Sequence, residues 1–407
     1  MTDLFTSDFF TNNRKKLQEE TSAQIIIIAA NGLLQRSADT TYPFRQDSNF
    51  WYLTGVEEPD YLLVITEDED FLIAPKRGEH RDQWDGSIDK KAIKQLSGIG
   101  KIEEHHAGWI RLDLLLKKHK KAHTVTPAEA YFDHFGFYSN PARATLLSAL
   151  AKHRRLELVD IRKCIAGLRQ VKLDPEIKAL QMAIDITSIS LKNVKKKLES
   201  YKSENQIVAD ITRDFIRRGA DNHAYQPIVA AGANATTIHY IKNNHAIESG
   251  ELVLFDVGAE FNNYSADISR TYATSQPTKR QQDVFNAVKT VQQKAMDLLK
   301  PGVDMKKYEQ DVDAIMAKEL KKLKLIDDLT DKKKLKKYYP HLTSHFLGLD
   351  THDSADYTKP LVAGVVLTVE PGIYIPEEGI GIRIEDDVLI TDDGIKVLSA
   401  GLPTELR

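Results

Sequence analysis

Four acidic residues lie where an acid is costly. Asp256 in ELVLFDVGAEF, Asp267 in YSADISRTY, Glu370 in VVLTVEPG and Glu385 in GIRIEDD all interrupt segments whose β-branched and apolar content predicts buried strands. An unpaired carboxylate inside such a strand is strongly unfavourable. A turn centred on Asn262-Asn263 pairs Phe261 with Tyr264, which sets Asp256 opposite Ser269 and makes Asp267 its diagonal neighbour on the same face. A loop centred on Glu377-Glu378 sets Glu370 opposite Glu385, provided no bulge shifts the register. Two converging carboxylate pairs repel one another unless they are protonated, paired with bases or holding cations. Only cations turn that cost into a function. Arg270 or Arg383 could neutralise one of the four, not all. HLTSHFLGLDTHD supplies His341, His345 and His352 just before the second hairpin, so one imidazole is expected to complete an oxygen-rich site. Such donors favour Mn²⁺, Co²⁺ or a labile Zn²⁺ pair over a structural zinc, with bridging carboxylates holding two metals ~3.5–4 Å apart. The chemistry expected is metal-assisted hydrolysis.

Other chemistries find less support. Ser344 adjoins His345, but neighbouring side chains diverge and no Gly-x-Ser-x-Gly elbow surrounds the serine. Neither a P-loop nor a GxGxxG signature is present.

The elements that must position these residues repeat. Asp174-Pro175 predicts a helix start, with Asp174 as N-cap, and Ile177, Leu180, Ile184, Leu191 and Val194 form one stripe after it. Ser203 and Gln206 predict a capping box for a second helix, which carries Ile207, Ile211 and Phe215 and stops at Gly219. The strands Leu252 to Phe261 and Tyr264 to Tyr272 follow. The order then recurs, with a helix through Val284, Val288 and Val291, another from Met305 to Leu325, and strands Val365 to Ile375 and Ile380 to Thr391. An architectural duplication with a cleft between its halves is expected. Upstream, short apolar runs at Ile25 to Ala30, Phe50 to Thr54, Tyr61 to Thr66 and Phe71 to Pro75 read as strands of a mixed α/β domain.

At 407 residues the chain is too long for one core, and its 42% hydrophobic and 28% charged composition is that of a globular protein. With 56 Lys plus Arg against 59 Asp plus Glu, the net charge of −3 offers no global attraction to nucleic acid or anionic lipid. The basic runs Lys117 to Lys121 and Lys332 to Lys337 read as solvated faces. No run approaches the ~20 apolar residues of a membrane span, Met1 to Lys16 lacks an apolar signal core, and Cys164 is alone. A cytoplasmic protein acting on a small or peptide-like partner is expected, with no membrane and no nucleic acid involved.

These segments resemble the Xaa-Pro aminopeptidase (aminopeptidase P) branch of the pita-bread metallopeptidases, to which prolidase, methionine aminopeptidase and creatinase also belong. RSADTTYPFRQDSNFWYLTGVEEPD (Arg36 to Asp60) is similar to that branch's N-terminal segment, and IHY, LFDVG, ADISRT, HLTSHFLGLDTHD, TVEPGIYI and GIRIEDD follow its order and spacing. Methionine aminopeptidases lack the N-terminal domain and creatinase lacks the metal pair. The resemblance implies an α/β aminopeptidase P-type N-terminal domain over residues 1–165 and an α+β pita-bread catalytic domain over 166–407. That domain would consist of duplicated helix-helix-hairpin halves around an antiparallel sheet.

It further implies that Asp256 chelates one of two divalent cations, that Asp267 and Glu385 bridge both, and that His345 and Glu370 hold the second. Manganese is expected foremost, with cobalt or zinc as alternatives. Glu370 would also accept a proton from the attacking water and return it to the proline nitrogen. His239 and His352 match catalytic histidines that hydrogen-bond the substrate, and His341, Arg383 and Tyr374 match the proline side. Trp84 corresponds to an aromatic that relatives place over a neighbouring subunit, although DQWDG departs from their pattern. The function implied is release of an N-terminal residue that precedes proline, by a dimeric or tetrameric homo-oligomer. An Xaa-Pro dipeptidase (prolidase) is the nearest alternative. A non-catalytic peptide-binding module on this fold would lack ligands, whereas all five are present.

Overall fold

The computed structural model describes residues 4–78, 80–126, 134 and 136–407. The chain divides into two compact units, Met1–Arg169 and Gln170–Arg407. In the first, a six-stranded mixed sheet has the order Ile102–Glu103, Asp70–Ile73, Leu62–Thr66, Ile25–Ala29, Lys121–Thr124 and Glu157–Asp160. Ile25–Ala29 is buried at every position, as a central strand covered on both faces must be. Phe50 to Thr54, expected as a strand, is instead part of the helix Ser48–Thr54. The Asp47 carboxylate caps it by accepting the N–H groups of Asn49 and Phe50, and Gly55 ends it in a left-handed conformation. A short helix buried nearly all round shows no amphipathic stripe, so its apolar run mimics a strand.

The second unit carries the helix-helix-hairpin order twice. The helices Asp174–Lys197 and Glu204–Arg217 precede the first hairpin, and Lys279–Leu298 and Met305–Lys322 precede the second, with the short helix Lys332–Tyr338 inserted. Capping differs from expectation at both early helices. Leu173 is the N-cap of the first, and its N–H is taken at 2.9 Å by the buried Glu176 carboxylate, leaving Asp174 exposed inside the first turn. Ser203 holds the N-cap position of the second but donates to Asn205 Oδ1 instead, while Gln206 accepts the Lys202 N–H. Val284, Val288, Val291, Val312, Met316 and Leu320 pack with Ile373, Ile382 and Val388 in one hydrophobic core of this unit.

Both hairpins keep the predicted register, and both open where the acids lie. In the first, Asp256 pairs with Ser269 and Phe261 with Tyr264, around Asn262 and Asn263 at φ 49° and 65°. Regular strand stops at Val257 and Ile268. Between them, a Cβ on Gly258 would lie 1.8 Å from the Ala266 carbonyl oxygen, so only glycine permits the backbone approach beside Asp267. In the second, Val369 pairs with Asp386 and Gly372 with Arg383. That register places Glu370 opposite Glu385 inside the gap. There the Glu370 N–H turns to the Thr343 carbonyl at 2.8 Å and the Glu385 N–H to the Ser269 carbonyl at 3.0 Å. These bonds tie the second hairpin to the first hairpin and to the histidine segment. Among the described residues no helix is long and apolar enough to cross a membrane.

One ion pair anchors the far end of the histidine segment. Lys172 Nζ donates to Asp353 Oδ2 at 2.9 Å, and the two side chains are 0% and 1% exposed. Lys172→Met removes the lysine that balances a buried aspartate. It should destabilise the protein by about 3–5 kcal/mol in urea unfolding, and the paired change with Asp353→Leu should recover much of that loss. Equal stability of Lys172→Met and the parent chain would show the pair to be dispensable.

Candidate metal centre

The two hairpins and the histidine segment bring five predicted ligands together. Ligand atoms of Asp267, His345 and Glu385 all lie within 4.8 Å of one another. His345 Nε2 is 3.3 Å from Asp267 Oδ2 and 3.4 Å from Glu370 Oε1. Asp256 joins through Tyr225, whose hydroxyl lies 2.6 Å from both Asp256 Oδ1 and Asp267 Oδ1. A phenol has one proton to give, so the second of these short contacts needs a proton or a cation of its own.

Charge bookkeeping points to cations. Burial raises the pKa of Asp256, Glu370 and Glu385 above the usual carboxylate range, and the acids reinforce one another. Arg383 pairs with Asp256 through Nη2, whereas Arg270 is spent on Asp386 at 2.6 Å and on backbone carbonyls, including that of Glu385, and not on a carboxylate of the cluster. Among the described residues of the cluster, His345 can also carry positive charge. Burial alone would keep its ring neutral, but Asp267 and Glu370 outweigh burial and raise its pKa to about 9. Its Nδ1 faces the Phe346 carbonyl at 3.1 Å, which orients Nε2 into the cluster. The oxygen-rich set with one imidazole suits hard or borderline divalent cations.

The three residues expected on the proline side also meet. Arg383 Nη1 donates to the Tyr374 hydroxyl at 2.6 Å, and that hydroxyl lies 2.8 Å from His341 Nε2. Burial and the Arg383 charge lower the His341 pKa to about 3, so its ring is neutral. With Nδ1 donating to the Leu342 carbonyl at 2.7 Å, Nε2 must accept from Tyr374. His352 and His239 face solvent. The His352 ring meets that of His345 edge-on at 4.4 Å, and His239 is near enough to lower the proton affinity of both His341 and His352. Trp84 lies on the helix Arg81–Asp85 and is 85% exposed. Ser344 is buried against the Tyr308 hydroxyl, with no part in a nucleophilic triad.

Residues 178–392 match the family model described as metallopeptidase family M24, and residues 10–124 match that of the aminopeptidase P N-terminal domain. The chain belongs to metallopeptidase family M24. This M24 chain is 32% identical to human Xaa-Pro aminopeptidase 3 over 407 residues, which cover 94% of this chain and 80% of that protein. It is also 32% identical to Haemophilus influenzae Xaa-Pro aminopeptidase, over 91% and 89% of the two chains. The zinc-substituted structure of Escherichia coli aminopeptidase P in complex with product superposes with a TM-score of 0.87 at 28% identity, covering 99% of this chain and 97% of that one. The two-domain aminopeptidase P architecture with a pita-bread catalytic domain is thereby shown.

Several residues of this M24 site carry no sequence signal. Tyr225 stands in a coil segment, and nothing in HAYQP marks it. Asp387 lies buried behind Asp267 and accepts that residue's N–H at 3.2 Å. Its Oδ1 has no hydrogen-bond partner among the described residues, and burial raises its pKa well above normal. EDD hinted at it, but which of three adjacent acids faces inward depends on the strand break. Glu309 accepts the N–H groups of Thr343 and Ser344 at 2.9 and 3.1 Å, and so fixes the backbone between His341 and His345. Within a lysine-rich helix it reads as one more surface acid.

Proposed function

We propose that this M24 enzyme binds two divalent cations, manganese foremost with cobalt or zinc as alternatives, and hydrolyses the bond between an N-terminal residue and a penultimate proline. One observation carries the reading: four desolvated carboxylates meet around His345 Nε2 with too few protein cations to balance them. Asp256 would chelate one cation, His345 and Glu370 the other, and Asp267 and Glu385 would bridge. When bound, the cations supply Lewis acidity toward the scissile carbonyl and lower the pKa of water. Glu370 takes the attacking water's proton and returns it to the leaving nitrogen. At 19% side-chain exposure it is more open to water than Asp256 or Asp267, at 14% and 8%. A proline nitrogen in peptide linkage carries no hydrogen, so departure as an amine requires that proton. His239 and His352 hydrogen-bond the carbonyl oxygen as charge develops on it. His341, Arg383 and Tyr374, locked together, line the proline side. Residues 1–165 would form the N-terminal domain and 166–407 the catalytic one, in a cytoplasmic homo-oligomer, dimer or tetramer, that acts on proline-containing peptides.

Comparison of kcat/KM for Xaa-Pro, Xaa-Pro-Xaa and an N-acetylated analogue tests the reading. A free amine should be required, and proline should be preferred to alanine in the second position, since a preformed pocket takes a rigid ring at little entropic cost. Tripeptides should be cleaved at least as well as dipeptides, because the connection Pro376–Glu378 is a single 3₁₀ turn, too small to wall off a cleft. Hydrolysis confined to dipeptides would make the enzyme a prolidase. Efficient cleavage of the acetylated peptide would end the aminopeptidase reading.

A further inference from the structure

Glu204 is a carboxylate with no exposed surface, on the first residue of the helix Glu204–Arg217. Its four hydrogen bonds all go to one stretch of chain, residues 231–245. Oε1 accepts from the Ala231 N–H at 2.8 Å and Asn234 Nδ2 at 3.1 Å. Oε2 accepts from the Tyr240 hydroxyl and the His245 N–H, both at 2.9 Å. Both oxygens are thus fully satisfied, and the helix N-terminus beside them adds a field that favours an acceptor. Beyond the 3₁₀ turn Gly232–Thr236 the stretch has no helix or strand of its own. Its conformation depends on these bonds, on the packing of Ile238 and Tyr240, and on Asn243, which accepts the Val229 N–H and donates to the Pro227 carbonyl, both at 2.8 Å. Those two residues face inward, into an apolar cluster with Ile228, Ala230, Ala235, Leu254 and Tyr374. His239 stands between them and is exposed.

We infer that Glu204 is a positioning residue for His239: through Tyr240 and the backbone on either side, it holds the imidazole at the angle and depth at which it meets the substrate carbonyl. The inference rests on the reading of His239 given above. Glu204→Gln cannot reproduce these hydrogen bonds, because an amide replaces one doubly accepting oxygen with a donor that faces two other donors.

The test is a double-mutant cycle on metal-loaded enzyme with an Xaa-Pro-Xaa peptide, monitoring kcat, KM and bound metal. His239→Ala should lower kcat by about 10²- to 10³-fold. Glu204→Gln should lower it by about 10- to 100-fold, as expected for a misplaced catalytic group, with KM and metal content near those of the parent. Tyr240→Phe, which removes one of the four bonds, should give a smaller loss of the same kind, and it replaces Glu204→Gln in the cycle if that variant does not fold. In the His239→Ala background neither change should slow the reaction further. An equal loss with and without His239 would mean that Glu204 serves the fold alone, and parent-like kcat in folded Glu204→Gln or Tyr240→Phe would also overturn the inference. Parent-like kcat in His239→Ala would instead remove the role of His239 itself, and the inference with it.

Discussion

Asp267→Asn should leave the protein folded, without its bound cations and without peptidase activity. Asp267 Oδ1 meets the Tyr225 hydroxyl that Asp256 also meets, while Oδ2 faces His345 Nε2 at 3.3 Å, so its two oxygens look into both halves of the cluster. An asparagine presents one acceptor and one donor, so whichever way the amide turns, one cation position meets an N–H. Metal affinity at both positions should fall by more than the ~10- to 100-fold that losing an outer hydrogen-bond partner costs. Asp256→Asn should behave differently. It removes a ligand from one position and frees Arg383 from its ion pair, so about half the metal should remain after dialysis. Chelation of the parent protein should abolish hydrolysis, and Mn²⁺ or Co²⁺ should restore it best. Elemental analysis beside steady-state rates reads all of these outcomes. Two retained metals and an undiminished rate in Asp267→Asn would refute the bridging role, and full activity in rigorously metal-free protein would refute metal catalysis.

The pairing of the acids was legible because strand geometry allows so few answers. Once Asn262-Asn263 is taken as the turn, period-two alternation leaves Asp256 one partner, and the structure places Ser269 there. The same arithmetic from Glu377-Glu378 holds on both sides of the second break. The breaks themselves were not legible. Glu370 and Glu385 reach the cluster because their N–H groups leave the ladder for Thr343 and Ser269, and those partners come from distant segments. The ionisable groups of Glu204, Glu309 and Lys172 escaped for a related reason. Each is satisfied by groups far along the chain, so its local pattern matches that of a surface residue. Ser48–Thr54 is a different kind of miss: Asp47 was a readable N-cap, overridden by the apolar run after it.

His352→Ala should separate catalysis from metal binding. His352 lies on the same segment as His345, and their rings touch edge-on at 4.4 Å, yet their surroundings differ. The Nε2 of His345 is enclosed by Asp267 and Glu370, while His352 faces solvent on a stretch whose next residue, Asp353, is fixed by Lys172. An imidazole so placed is free to serve substrate, and the buried ion pair keeps the backbone beneath it from yielding. Removing it should lower kcat by about 10²- to 10⁴-fold, the range for losing a transition-state donor or proton-transfer group, with bound metal near the parent level. His345→Ala should lose metal as well as rate, because among the described residues its ring is the single imidazole in the ligand cluster. Because the loss in His352→Ala arises only as charge develops on the carbonyl, KM should change far less than kcat. If the two variants show the same metal content and the same residual rate, the division between a ligand and a substrate-facing histidine does not hold. If His352→Ala raises KM while leaving kcat intact, the ring binds the ground state and contributes nothing specific to the transition state.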